Sequence, residues 1–268
     1  MTEDLHAILG VPRDASPAVI RHAYLELAKE CHPDLHPDDP AAAEKFKQVH
    51  RAFAKLYKPR RSIRRATITP ELAVSKIKTV GGRIEVAAEV RGRPVIRVDL
   101  ASTMVADAGL EYLKGLTQLQ ELNLDDTMVT DAGLKYLEGL TQLHRLSLVR
   151  TQVTDGGLEH IKGLTKLHVL YLFGTKVTDA ALEHIESLTQ LEILELGGPG
   201  VTDAGLESLT GLTRLRELWL DGTRVTDAGL EHLKGLTQLQ QLSIRATQVT
   251  EVGAESLKKA LPALRVCR

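Results

Sequence analysis

Tyr171, Phe173 and Trp219 are three of only five aromatic residues beyond position 65, and they fall at matching places in a stretch that repeats itself. Val149, Val169 and Ile193 adjoin them, and Glu121, Asp125, Glu195, Glu217 and Asp221 surround them in the same register. Apolar and aromatic anchors rimmed by carboxylates suit recognition of another molecule rather than bond-making chemistry. The plainer reading, that outward aromatics cover a sheet and pack on one another, stays open. Asp131, Asp155, Asp179, Asp203 and Asp227 recur at one place in every copy, so they serve helix starts and not catalysis. His160 and His184 share a column with Tyr112, Tyr136 and His232; two imidazoles there could share a metal, but repeat-spaced histidines also arise by duplication, and no metal site is expected. There is no glycine-rich phosphate loop after a strand and no nucleophile elbow. The chain is therefore not expected to be an enzyme or to carry a cofactor.

The elements that position these residues follow from a period of 24. The hexapeptide Val129-Thr130-Asp131-Ala132-Gly133-Leu134 recurs from Val153, Val177, Val201 and Val225, with looser copies at Val105 and Val249. Between copies runs Leu116-x-x-Leu119-x-x-Leu122-x-Leu124. Leucines two apart define a short strand with one inward face, and Leu134 and Leu137 share one face of a short helix. Thr130 or Asp131 can cap that helix. Gly115, Gly139, Gly163, Gly211 and Gly235, a column broken only by Ser187, are expected to end it in a left-handed conformation. The column of Thr103, Thr127, Thr151, Thr175, Thr223 and Thr247 is expected to bond backbone groups of neighbouring units. Pro199, with Gly197, Gly198 and Gly200, marks one irregular turn.

These are leucine-rich repeats, and residues 70–268 resemble bacterial leucine-rich repeat proteins of the ribonuclease-inhibitor-like type. The resemblance implies an α/β, right-handed solenoid with parallel strands on its concave side and short helices on its convex side. Each unit buries its apolar face only against its neighbours, so the ends need caps. A helix over 70–80 and a strand over 83–89 are expected at the front, and a helix over 252–260 and a strand over 264–267 at the back. About eight parallel strands at ~4.8 Å spacing give a face on the order of 35 Å long. For function the resemblance implies protein binding.

Residues 4–57 lack the period. A helical run ends at Gly10, and Asp14-Ala15-Ser16-Pro17 opens a second helix whose stripe is Ile20, Ala23, Tyr24, Leu27 and Ala28. After a polar loop containing His32-Pro33-Asp34, a long helix over 41–57 carries Phe46, Val49, Phe53 and Leu56, making an antiparallel hairpin. This small all-α segment resembles a J-domain, through Leu5-x-x-Ile8-Leu9-Gly10-Val11, Ile20-x-x-Ala23-Tyr24-x-x-Leu27-Ala28, His32-Pro33-Asp34 and Glu44-Lys45-Phe46-Lys47 leading to Ala52-Phe53. The resemblance implies a DnaK-type chaperone as partner. It assigns stimulation of the partner's ATPase to His32, Pro33 and Asp34, and contact to Arg21, His22 and Lys29. Leu25, Glu26 and Glu30 stand where the family is commonly basic, which weakens the expected attraction.

Composition frames the rest. The chain of 268 residues is 43% hydrophobic and 26% charged but 3% aromatic, with a formal net charge of -1. Its core must be aliphatic, and disordered, collagenous and membrane-spanning classes are excluded. The acidic start, Met1-Thr2-Glu3-Asp4, is unlike a secretory signal, so the expected address is cytoplasmic, with no membrane partner. Cys31 and Cys267 are too far apart in sequence for a disulfide framework or a Cys-x-x-Cys site. Lys55, Lys58, Arg60, Arg61, Arg64 and Arg65 form an acid-free basic run, read first as a solvated helix end or linker, with a nucleic-acid patch as the lesser reading. The expected layout is a J-domain-like segment over 1–65, a linker and cap over 66–94, and the solenoid over 95–268. The expected function is a co-chaperone-like adaptor that holds an unidentified protein client on the repeat face, the alternative being an interaction scaffold with a degenerate J-like segment.

Overall fold

The computed structural model describes residues 4–15, 17–30, 40–56, 68–87 and 94–268. The chain divides into two compact units, Met1–Ala66 and Thr67–Arg268.

The first unit is helical. Helix α1 (Leu5–Leu9) starts at Asp4, whose carboxylate accepts from the His6 and Ala7 N–H groups, and it stops at Gly10, which turns left-handed at φ 64°. Helices α2 (Pro17–Glu30) and α3 (Pro40–Leu56) pack on each other and on α1. Leu9, Ile20, Tyr24, Val49 and Ala52 are buried between them, with Ala23, Leu27, Ala28, Phe53 and Leu56 partly so. The expected stripe of α2 is therefore its packing face. Tyr24 is stacked on Phe53 at 4.2 Å and its hydroxyl meets His50 Nδ1 at 3.2 Å, which satisfies the polar tip of a buried ring.

The second unit opens with helix α4 (Pro70–Thr79), capped by the Thr69 hydroxyl, and then builds one nine-stranded sheet in sequence order. Its strands are β1 (Arg83–Val86), β2 (Val95–Asp99), β3 (Glu121–Asn123), β4 (Arg145–Ser147), β5 (Val169–Tyr171), β6 (Ile193–Glu195), β7 (Glu217–Trp219), β8 (Gln241–Ser243) and β9 (Arg265–Cys267). β1 runs antiparallel to β2, and every later neighbour is parallel with its repeat partner opposite: Leu122, Leu146, Leu170, Leu194, Leu218 and Leu242 stand in one row. These leucines and those two residues on, from Leu124 to Leu220, are 0–1% exposed, so each strand turns one residue in three into a continuous spine. Behind the sheet lie the short helices α5 (Asp107–Leu110), α6 (Asp131–Leu134), α7 (Asp155–Leu158), α8 (Asp179–Glu183), α9 (Asp203–Leu206) and α10 (Asp227–Leu230), followed by α11 (Glu251–Ala260). Leu134 and Leu137 close the spine from that side.

The left-handed residue does not fall where the glycine column stands. Gly115, Gly139, Gly163, Gly211 and Gly235 all have negative φ. The helix end closes instead through a tight bond across the column, Leu140 N–H to the Leu137 carbonyl at 2.8 Å for instance, and a Cβ at Gly139, Gly163, Gly211 or Gly235 would meet open space. Ser187 fits the same place and adds a bond from its hydroxyl to the Lys162 carbonyl of the preceding repeat. Positive φ appears just after each strand from β2 to β8, at Ser102, Asp126, Arg150, Gly174, Gly198, Gly222 and Ala246, again 24 apart. There the chain must turn sharply out of the sheet, and the threonine column fastens that turn within its own unit. Thr127 Oγ1 donates to the Leu124 carbonyl at 2.6 Å, and Thr103, Thr151, Thr175, Thr223 and Thr247 do the same, rather than reaching a neighbouring unit. Pro199 interrupts this column while the strand register on either side is kept.

The bond between units comes from the aspartates. Asp131 accepts from both the N–H and the hydroxyl of Thr154 in the next repeat, at 2.7 and 2.6 Å. Asp107, Asp155, Asp179, Asp203 and Asp227 do likewise with Thr130, Thr178, Thr202, Thr226 and Thr250. Most of these threonines also accept the N–H two residues on, as Thr130 does from Ala132, so the hydroxyl caps its own helix and locks onto the preceding one. The carboxylate approaches so closely that a Cβ on Gly133 would lie 2.6 Å from Asp107 Oδ1. The glycine of the hexapeptide gives that carboxylate room, and where Ala181 replaces it the bonds from Thr178 to Asp155 are kept. Replacing Asp179 by Ala removes both bonds to Thr202 and should cost about 1–3 kcal/mol, read as a lower midpoint in urea unfolding; an unmoved midpoint would exclude the ladder as a source of stability.

Candidate functional site

The strand geometry sends residues 121 and 123 and their equivalents outward, and the side chains between them inward. Val169, Tyr171, Ile193, Glu195, Glu217 and Trp219 are accordingly half-buried on the outer face of β5, β6 and β7. Tyr171, Glu195 and Trp219 stand opposite one another on adjacent strands. Two strand spacings put the first and last ~9.6 Å apart at the backbone, yet their rings are stacked with centroids 6.0 Å apart and planes 16° apart. The rings lean together over the intervening Glu195. On the other flank of Tyr171, the Arg145 guanidinium lies 5.1 Å from the ring centroid and donates to the phenol oxygen at 2.8 Å. Phe173 takes a different course: its ring lies against Gly197, where a Cβ would meet Cδ2 at 2.5 Å.

These groups bound a cleft of about 520 Å³ over the sheet, lined from Arg97 on β2 to Trp219 on β7. Of the residues the sequence singles out, it brings together Tyr171, Trp219, Val149, Glu121, Asp125 and Glu195. Phe173, Val169, Ile193, Glu217 and Asp221 lie outside its lining.

The acids divide by partner. Glu121 is held by Arg97 in a two-pronged contact, Nη2 to Oε1 at 2.7 Å and Nε to Oε2 at 2.9 Å, and Arg97 also meets Glu85 at 3.1 Å. Asp125 Oδ1 accepts from the Ser147 hydroxyl and the Val149 N–H, and Asp221 Oδ1 from Ser243 and the Arg245 N–H, so both aspartates tie one repeat's turn to the next. Glu217 and Glu195 differ from these: among the described residues neither carboxylate has a hydrogen bond or ion pair, and of the two only Glu195 lines the cleft. Burial, then the charges of Asp125 and Asp221, raise the Glu195 pKa above the usual glutamate value. Burial likewise pushes the Tyr171 phenol up.

Sequence reasoning missed Arg97, Arg145, Asn123 and Ser147, which line the same cleft. Their columns signalled exposure; what they bond was not visible in spacing. It also missed the tilted pair His144 and His168, 5.3 Å apart on the neighbouring column, where burial and then the second imidazole lower the His144 pKa. His160 is bonded to Glu138 at 2.6 Å, and no cluster of three potential metal ligands occurs among the described residues. Tyr112 and Tyr136 pack partly on the core beneath Lys76 and Lys114.

In the helical unit, His22 is exposed on α2, as is Glu26. The side chains of Arg21 and Lys29, and His32, Pro33 and Asp34 altogether, lie outside the described residues, as do Lys58, Arg60, Arg61, Arg64 and Arg65. No helix among the described residues is long and apolar enough to cross a membrane.

Residues 4–64 match the DnaJ domain family. Over 64 residues the chain is 47% identical to the chaperone protein DnaJ of Carboxydothermus hydrogenoformans, covering 24% of this chain and 17% of that protein. Over 60 residues it is 52% identical to the chaperone protein DnaJ of Thermoplasma volcanium, covering 22% and 16%. The chain thus spans less than a fifth of either relative. Among solved structures, internalin C2 of Listeria monocytogenes aligns with a TM-score of 0.52 at 24% identity, over 74% of this chain and 92% of that one. That likeness concerns the fold: the second unit is a leucine-rich repeat solenoid.

Glu195 supplies a test of the site's electrostatics. A carboxyl whose pKa is raised by folding stabilises most while protonated, and that contribution is lost as pH rises through the raised value. Glu195→Gln keeps the shape and removes the charge, so it should raise Tm at pH 7, with the gain vanishing below about pH 4. A Tm lowered at pH 7 would show that the carboxylate is stabilised by its surroundings after all.

Proposed function

We propose that the chain is a co-chaperone-like adaptor, in which the repeat face grips a protein client and the J-like segment engages a DnaK-type ATPase. One observation carries the reading: a DnaJ-family match with His32-Pro33-Asp34 intact shares a chain with a solenoid whose sheet bears an aromatic cleft. Joining the two on one polypeptide turns two modest affinities into a high local concentration of client at the chaperone. In this layout residues 1–65 contact the chaperone, 66–94 link and cap, and 95–268 hold the client. In this reading His32, Pro33 and Asp34 stimulate the ATPase, and Arg21, His22 and Lys29 contact the chaperone. Nothing in this scheme asks for a catalytic residue, a cofactor, a metal or a membrane.

The exposed Glu26, at a position commonly basic in the family, favours a second reading in which the J-like segment no longer drives ATP hydrolysis and the chain is an interaction scaffold.

Steady-state ATPase turnover of the DnaK-type chaperone from the same cell separates the two. Under the adaptor reading the intact chain accelerates turnover several-fold and His32→Gln does not. Equal turnover with both, alongside client capture that survives loss of residues 1–65, would leave the scaffold. Client capture itself should fall about tenfold or more in Trp219→Ala, because truncating a large aromatic anchor at an interface typically costs 1–4 kcal/mol.

A further inference from the structure

Three observations about Glu195 point the same way. It stands midway between Tyr171 and Trp219, whose rings close over it to 6.0 Å. Its carboxylate has no counter-ion among the described residues, although Glu121, equally outward, has Arg97. The neighbouring charges that act on it are acids, Asp125 and Asp221. A half-buried carboxylate with aromatic faces beside it and a negative field around it lacks one thing, a cation. Arg145 already supplies a guanidinium to the outer flank of Tyr171, showing that these rings accept one.

The shape of the cleft narrows what brings that cation. It runs from β2 to β7, five strand spacings or about 24 Å, which is the reach of roughly seven residues of extended chain. A free amine would fill only one end. Its Trp219 end is acidic and therefore repels a phosphate backbone.

We propose that the cleft binds an extended basic polypeptide segment, with one lysine or arginine side chain seated on Glu195 against Tyr171 and Trp219. This deepens the adaptor reading by naming the chemistry of the client, and it rests on that reading only in taking the sheet face as the binding surface. Selection is by charge and by stacking together: an acidic segment is repelled and an apolar one leaves Glu195 buried without a partner.

Trp219 is the sole tryptophan of the chain, so its fluorescence reports on this position directly. The experiment titrates the full-length chain with a capped seven-residue peptide of serine and glycine bearing a central arginine pair, with a glutamine-pair peptide and a single-stranded oligothymidine as comparisons. The proposal expects a saturable change with the arginine peptide alone, weakened by added salt, and about tenfold weaker binding to Glu195→Gln. Comparable titration by the glutamine peptide, a stronger response to the oligonucleotide, or undiminished affinity in Glu195→Gln would each overturn it, as would a flat signal with every probe. Because Glu195→Gln removes a charge that folding disfavours, loss of fold does not account for loss of binding, and the variant's unfolding midpoint checks this. Chaperone turnover is measured on the same samples. Arginine-peptide binding without ATPase stimulation sinks the adaptor and leaves this site standing, and stimulation without peptide binding does the reverse.

Discussion

A unit of 24 residues is too small to enclose its own leucines. Leu122, Leu146 and their equivalents reach complete burial only because each repeat presents a matching row to the next, so stability lies between units rather than inside them. That single constraint fixes the strand length, the parallel register and the direction in which every intervening side chain points. It also decides which columns are fixed by packing and which are left open to selection by a partner.

The polar groups follow from the same need. At each junction an aspartate of one helix holds a threonine of the next, and at all but the one where Ala181 stands the nearby residue is a glycine that leaves the aspartate room. On the sheet side, Asp125 and Asp221 brace turns, while Glu121 is neutralised by Arg97. Once these structural duties are subtracted, the outward acids no longer look alike. Glu195 is the acid that lines the cleft without a partner among the described residues, a distinction that emerges only when its neighbours' bonds have been assigned.

How far the sequence carries can be argued residue by residue. Period-two leucines determine a strand face, so the outward placement of Tyr171, Glu195 and Trp219 is readable without coordinates. The caps at 70–80 and 252–260 are readable too, since Thr69-Pro70 and Thr250-Glu251 are helix starts by chemistry. Glycine placement misleads, because glycine serves two needs: a left-handed turn, which here falls after the strand at Gly174 and Gly222, and close approach, which explains Gly133. Arg150 and Asp126 take the left-handed place without being glycine, so residue type alone does not mark it. The reach of Arg97 and the lean of Trp219 toward Tyr171 depend on side-chain torsions that no spacing encodes.

The first strand of the sheet runs against all the others. A second molecule approaching that edge meets backbone donors and acceptors in antiparallel spacing, and it finds no exposed leucine row to extend, because α4 has already covered that end with Ala73 and Ile77. Head-to-tail addition, the standing hazard of any structure that grows by adding copies of itself, is thereby disfavoured at this end of the array.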